Sequence, residues 1–190
     1  MEKHSVKFYE NKELIINCFL DIIKSEGYQN TTINRISQIT KLSYGSITNI
    51  FHTKECILLE ILKRYVEKYD KQKSTYDDRL INFISNIIFQ VRRIDEDYNL
   101  KEIFLEQFTH HKTTEYLKEY ITDILKESLD CNNTCYFKAI AIVGIIREYI
   151  NSDTTLYVSL DKKVEHLVKS ILLICEYDYE HIDQIIELIR

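Results

Sequence analysis

Proline is absent from this 190-residue chain and glycine occurs three times. Nothing in the composition therefore forbids long helices, and each glycine marks a position worth reading. Also absent is any run near the roughly 18 apolar residues of a membrane span, and the amino end, MEKHSVKFYENKE, has no apolar stretch of the secretory kind. A cytoplasmic protein with no membrane partner is expected. No segment alternates as a half-buried strand does, and no repeat or low-complexity tract interrupts the chain. A glycine-rich phosphate loop, a nucleophile elbow and a paired-histidine motif are all missing. Catalysis thus has no carrier, and neither enzyme activity nor a cofactor is expected.

Cysteines are few and scattered, at 18, 56, 131, 135 and 175, an odd number with three at helix-like apolar positions. Reduced core thiols suit that pattern better than a disulfide frame. Cys131 and Cys135, with His110 and His111 upstream, have a spacing that zinc sites and redox sensors also use. No second Cys/His pair stands at ligand spacing, and a free-thiol loop with surface histidines accounts for the residues as simply. No metal is expected.

Positive charge is scarce: the net charge is −5. It is unevenly distributed, with ten Lys/Arg against eight Asp/Glu through Lys68 and fifteen against twenty-two beyond. A weakly basic binding head on an acidic body has this sign, and so does a solvated surface with uneven charge.

What is present is helical spacing almost throughout. Leu14, Ile15, Cys18, Phe19, Ile22 and Ile23 form one apolar stripe that stops at Gly27, well placed for a left-handed C-terminal cap. Thr31 and Thr32 can cap a second helix whose Ile36 and Ile39 face inward. Thr40, Lys41 and Leu42 make a turn, and Ser43 can cap a short helix with Ile47 and Phe51 on one side. A long helix over about 53–73 follows, then segments near 77–94, 99–109 and 114–129. Between Ala139 and Ile146 the chain is apolar all round, with Gly144 inside, and a rich stripe spans about 160–175. The fold class is all-α: an N-terminal three-helix head with a helix-turn-helix, then an all-helical body. The boundary lies near the start of the 53–73 helix, giving domains of 1–54 and 55–190.

The stretch 27–55, GYQNTTINRISQITKLSYGSITNIFHTKE, has the order of a major-groove reader. Gly27-Tyr28, Thr31-Thr32, Ile36-Ser37, Ser43, Gly45, Ile47, Phe51 and Lys54-Glu55, together with the 14–23 stripe, resemble the amino-terminal domain of the TetR family of bacterial transcriptional regulators. Their order and spacing match without gaps over about the first 60 residues; the remaining 130 have no such specific motif.

That resemblance implies a homodimeric, DNA-binding regulator, in this family most often a repressor, that reads a pseudo-palindromic operator and responds to a small-molecule effector. It implies Tyr44, Gly45 and Ser46 near base edges, Thr32 and Lys54 at helix starts beside phosphates, and an effector-binding, dimerising body. Physical reasoning adds that Thr48 and Asn49 share the outer side of the short helix, Ser43 caps it, and Asn49, His52, Lys7, Lys12 or Arg35 can supplement the DNA contacts. Thr48 and Ile50 depart from the family pattern, which has tyrosine at the first and histidine or tyrosine at the second, side chains that commonly bond phosphates. Lys41 stands where a turn glycine is frequent; a positive φ there would carry about 1 kcal/mol of strain.

In the body, Phe83, Phe104, Phe108, Tyr116 and Tyr120 are the candidate lining of an effector pocket, or else core aromatics at helical spacing. An apolar or aromatic effector, cationic if the acidic body selects it, is the corresponding expectation. Ile140, Val143, Gly144, Ile171 and Leu172 are the candidate dimer interface through a four-helix arrangement; a buried hairpin of a monomer fits the same stripes. A rival function is a helical interaction or adaptor protein that keeps the fold and has weak or lost operator binding.

Overall fold

A computed structural model describes residues 2–71, 76–96, 98–129, 134–152 and 158–189. Among them are ten helices and no strand: α1 (Glu2–Glu26), α2 (Ile33–Thr40), α3 (Tyr44–Ile50), α4 (Lys54–Lys71), α5 (Arg79–Glu96), α6 (Tyr98–Gln107), α7 (His111–Ser128), α8 (Cys135–Asn151), α9 (Leu160–Ile174) and α10 (Tyr179–Ile189). No helix of the described residues is long and apolar enough to cross a membrane.

Local chemistry sets the first three helix boundaries. Gly27 adopts φ +83° and donates its N–H to Ile23 O at 3.0 Å, ending α1 in the left-handed cap that glycine enters without strain. Thr32 Oγ1 accepts the Arg35 N–H at 3.1 Å and so caps α2. Lys41 ends α2 at φ 61°, donating to Ser37 O at 3.0 Å; the non-glycine positive φ at this turn is real. Ser43 Oγ accepts from Ser46 N at 3.1 Å and caps α3. Each cap satisfies amide or carbonyl groups that a helix end leaves unbonded.

Two apolar cores result. The first joins Ile15, Ile16, Phe19, Ile22 and Ile23 of α1 to Tyr28, Ile36, Ile47, Phe51, Ile57 and Leu58, and Ile103 of α6 enters it from the body. The second is built by α5, α7, α8 and α9 with Ile182 and Ile186 of α10. Burying each such aliphatic side chain is worth about 1.5–3 kcal/mol before the cost of ordering it. The two cores meet along α4 and α6.

Three expectations need correction. Leu14 and Ile39 do not face inward: they are 44% and 49% exposed and flank a groove between α1 and α2. Ile16 takes the inward place on α1 instead, because the buried arc centres between Ile15 and Phe19. Helix α10 lies beyond the last stripe read from the sequence. Cys135 is disulfide-bonded, which departs from the free-thiol loop; its partner and Cys131 lie outside the described residues, whereas Cys18, Cys56 and Cys175 are free.

Candidate nucleic-acid interface and effector cavity

Helix α3 is held by its inner side and open on its outer side. Ile47 is fully buried and Phe51 nearly so, while Tyr44 is 56% exposed and Gly45 and Asn49 face solvent. A Cβ added at Gly45 would meet no atom within 4 Å. The fold therefore does not require glycine there, and the bare backbone is available to something outside the chain. Ser46 is half-buried, its hydroxyl 2.8 Å from that of Ser43.

The flanking polar groups are largely turned back on the protein. Thr48 Oγ1 donates to Tyr44 O at 3.1 Å, inside its own helix, and Ile50 packs partly buried on the head core. His52 Nδ1–H donates to Thr48 O at 3.0 Å; because a carbonyl can only accept, the imidazole leaves Nε2 for an external partner. Lys54 does not extend outward. Its ammonium donates to Tyr28 O at 3.3 Å and stands 4.0 Å from the centre of the Tyr28 ring, so any anion contact at the start of α4 falls to the backbone N–H groups. Lys12 is paired with Glu60 at 2.7 Å and Arg35 with Glu26 at 2.6 Å, while Lys7 is exposed.

Tyr28 is the centre of the junction between head and body. It is 1% exposed, its ring stacked edge-on against Phe19 at 6.2 Å. Its N–H donates to Glu102 Oε1 at 3.2 Å and its hydroxyl lies 2.9 Å from His110 Nε2, a nitrogen that is also 3.3 Å from Glu106 Oε2. Beside it, Gln29 Nε2 donates to Glu106 Oε1 at 3.2 Å. Burial, then the charges of Glu55 and Glu106, push the phenol well above its usual range, so it remains a neutral hydroxyl. The hydrogen bonds that join Tyr28 and Gln29 to the body each span 74 or more residues of sequence.

On its opposite side α6 borders a cavity of about 100 Å3 lined by residues of α4 to α8. Phe83, Phe104, Phe108 and Tyr120 line it, with edge-on pairs Tyr65–Phe104 at 6.1 Å and Phe83–Tyr120 at 6.1 Å. Tyr116 does not. Its neighbour Leu117 takes the lining position one residue round α7, and the Tyr116 ring stands 5.5 Å from the Lys63 ammonium instead. Asn86, Gln90 and Gln107 also line the cavity and were not among the sequence candidates. A carboxamide in the apolar stripe of a helix, as in Phe104-x-x-Gln107-Phe108, is the signal that marks such a position. Among the described residues no Asp, Glu, Lys, Arg or His lines the cavity.

Of the candidate interface residues, Val143, Ile171 and Leu172 are buried in the body core of a single chain and unavailable to a second copy. Ile140 and Gly144 face outward, beside the 71% exposed Phe137, and a Cβ at Gly144 would meet nothing within 4 Å. Among the described residues no group of three or more His, Cys, Asp or Glu is placed to hold a metal ion.

No family model matches the chain. A curated relative, an uncharacterized HTH-type transcriptional regulator, YuxN, of Bacillus subtilis, is 34% identical over 59 residues, 31% of this chain. The match spans a fifth of that relative's length (20%). Solved structures are similar over most of the chain. RolR in complex with resorcinol superposes with a TM-score of 0.70 at 16% identity, covering 96% of this chain and 95% of the other. A putative TetR-family transcriptional regulator from Syntrophomonas wolfei gives 0.62 at 19% identity, with 89% and 96% covered. FadR of Thermus thermophilus, a TetR-family repressor in complex with lauroyl-CoA, gives 0.59 at 16% identity, with 85% and 93% covered.

Proposed function

We propose, from the premise that this chain has the fold of the TetR-family transcriptional regulators, that it is a cytoplasmic, non-catalytic, ligand-responsive DNA-binding regulator acting as a homodimer. The observation that carries this reading is α3 itself: a short helix capped at Ser43, anchored by Ile47 and Phe51, with Tyr44, Gly45 and Asn49 exposed and open space above Gly45. Such a helix fits a major groove about 12 Å wide. Residues 1–54 are the DNA-binding domain and 55–190 the effector and dimerisation domain. Tyr44, Gly45, Ser46 and Asn49 read base edges, while Thr32, Ser43, Thr48, His52 and the backbone at Lys54 supply the remaining contacts. Two copies paired through the outward stripe of Phe137, Ile140 and Gly144 would address half-sites about one helical turn apart.

Effector control follows from α6. Its Phe104 and Gln107, with Phe108 just beyond its end, face the cavity, while Glu102, Ile103 and Glu106 face Tyr28 and its neighbours in the head. A ligand that shifts α6 therefore shifts the seat of the head. A coupling of about 1–3 kcal/mol is sufficient for regulation. RolR with resorcinol and FadR with lauroyl-CoA are fold neighbours with small molecules bound, and support a ligand-responsive reading here. Repression is the favoured sign.

A second reading, an interaction or adaptor protein with weak operator binding, is favoured by one specific observation: Thr48, Lys54, Lys12 and Arg35 are all engaged by groups of the protein itself. Selection of bound duplexes from a random pool at low salt separates the two. The regulator returns one enriched palindromic motif; return of no motif removes the regulator reading and leaves the adaptor.

A further inference from the structure

The cavity between α4 and α8 has a definite chemistry. We propose that its occupant is an uncharged molecule of about one ring, carrying a hydroxyl or carbonyl group that the carboxamides of Gln107 and Asn86 bind; this rests on the reading of the body as an effector domain.

Three observations converge. Gln107 is 5% exposed, and no side-chain hydrogen bond joins it or Asn86 to the described residues, although both line the cavity. An amide that faces a cavity can be bonded there by a ligand hydroxyl, which is able both to donate and to accept. Second, among the described residues no Asp, Glu, Lys, Arg or His lines the site. An ion entering it would leave water without finding a counter-charge, so both carboxylates and ammonium groups are rejected and the acidic surface of the body does not make the effector a cation. Third, the walls are aromatic and aliphatic and the space is about 100 Å3, of the order of the roughly 150 Å3 apolar cavity that holds benzene. A single ring fits; a long acyl chain does not fit without opening the helices.

Hydrogen-bonding sites discriminate by loss. A pocket built to bond a hydroxyl rejects the analogue lacking it, because the protein's polar groups are then left buried and unpaired. Phenol, benzene, benzoate and benzylammonium share one ring and differ in this one respect, so calorimetric titration of each into the full chain is the test. Phenol should bind at least about ten-fold more tightly than benzene, and benzoate and benzylammonium should not bind. Gln107→Leu and, separately, Asn86→Leu should each reduce the preference for phenol over benzene while benzene binding persists, which also reports that the variant is folded. Binding of either ion as tightly as phenol, an unchanged preference in both variants, or no binding of any probe would overturn the proposal. Operator selection is independent of these titrations. Phenol binding without an enriched DNA motif would sink the regulator reading alone, and an enriched motif without phenol preference would sink this one alone.

Discussion

The Tyr28 hydroxyl lies 2.9 Å from His110 Nε2, joining the residue after the α1 cap to the residue just before α7, 82 positions away. The bond ties the N-terminal head to the far end of α6, next to the cavity. Tyr28→Phe keeps the ring between Phe19 and Lys54 and removes only the hydroxyl. Stability should fall by about 1 kcal/mol, and the effector should release the operator less completely. Melting and operator titrations with and without effector check both; unchanged release would place the coupling elsewhere.

Gly45→Ala separates folding from recognition. Beyond its chain neighbours and the backbone of α3, no atom of the described residues stands within 4 Å of the added Cβ, and alanine is the better helix former by up to about 1 kcal/mol. The variant should therefore melt no lower than the parent while losing about ten-fold or more in operator affinity, through a methyl group set against the DNA. Equal affinity would mean that the backbone at Gly45 makes no close approach.

Thr48→Tyr should tighten binding across sequences rather than for one motif. The present hydroxyl is spent within α3 on Tyr44 O, whereas a tyrosine reaching a phosphate gains a hydrogen bond to a charged group of about 1.5–3 kcal/mol per subunit. Anisotropy titrations on specific and random duplexes measure the change. Ile50→His is the less informative substitution, because Ile50 packs on the head core and its loss costs stability.

Ile140→Glu tests the dimer surface. Ile140 faces outward beside Phe137, so the substitution should leave the chain folded but reduce the dimer to monomer in sedimentation and, with it, operator affinity. A dimer of undiminished strength would move the interface to another face.

Acid should loosen the contact between α1 and α4. Arg64 bonds both Glu13 oxygens at 2.8 and 2.6 Å and Glu60 at 2.9 Å. The hydrogen bond from Arg64 holds the Glu13 carboxyl below its usual range; at Glu60 burial opposes the shift, and the bonds from Lys12 and Arg64 outweigh it. Carboxyls with depressed folded pKa values contribute stability above their unfolded pKa and lose it as pH falls through the folded one. Melting temperature should drop below about pH 4.5, and less steeply in Arg64→Met; parallel curves would contradict the assignment.

The parts legible in the sequence are those fixed by near neighbours. Thr32 and Ser43 accept from amides, and Gly27 and Lys41 donate to carbonyls, all within four residues, so type and spacing suffice to place them. Leu14 and Ile39 sit one flank away from the buried arc, a distinction that helical periodicity alone blurs. The Tyr28 junction depends on Glu102, Glu106 and His110 arriving from another core, and no local pattern encodes that meeting. It also decides the fate of Lys54, drawn onto the Tyr28 ring instead of extending to solvent. Gln107 and Asn86 do leave a trace, as amides in apolar stripes, but only the fold brings both onto one cavity.

The central claim, specific DNA binding through α3, is tested most directly by titrating the selected palindrome and a random duplex across salt. Specific binding should exceed non-specific binding by about 10³-fold or more, and affinity should fall steeply between about 50 and 200 mM salt as counterions are displaced. Equal affinity for the two duplexes, or none for either at low salt, would contradict it.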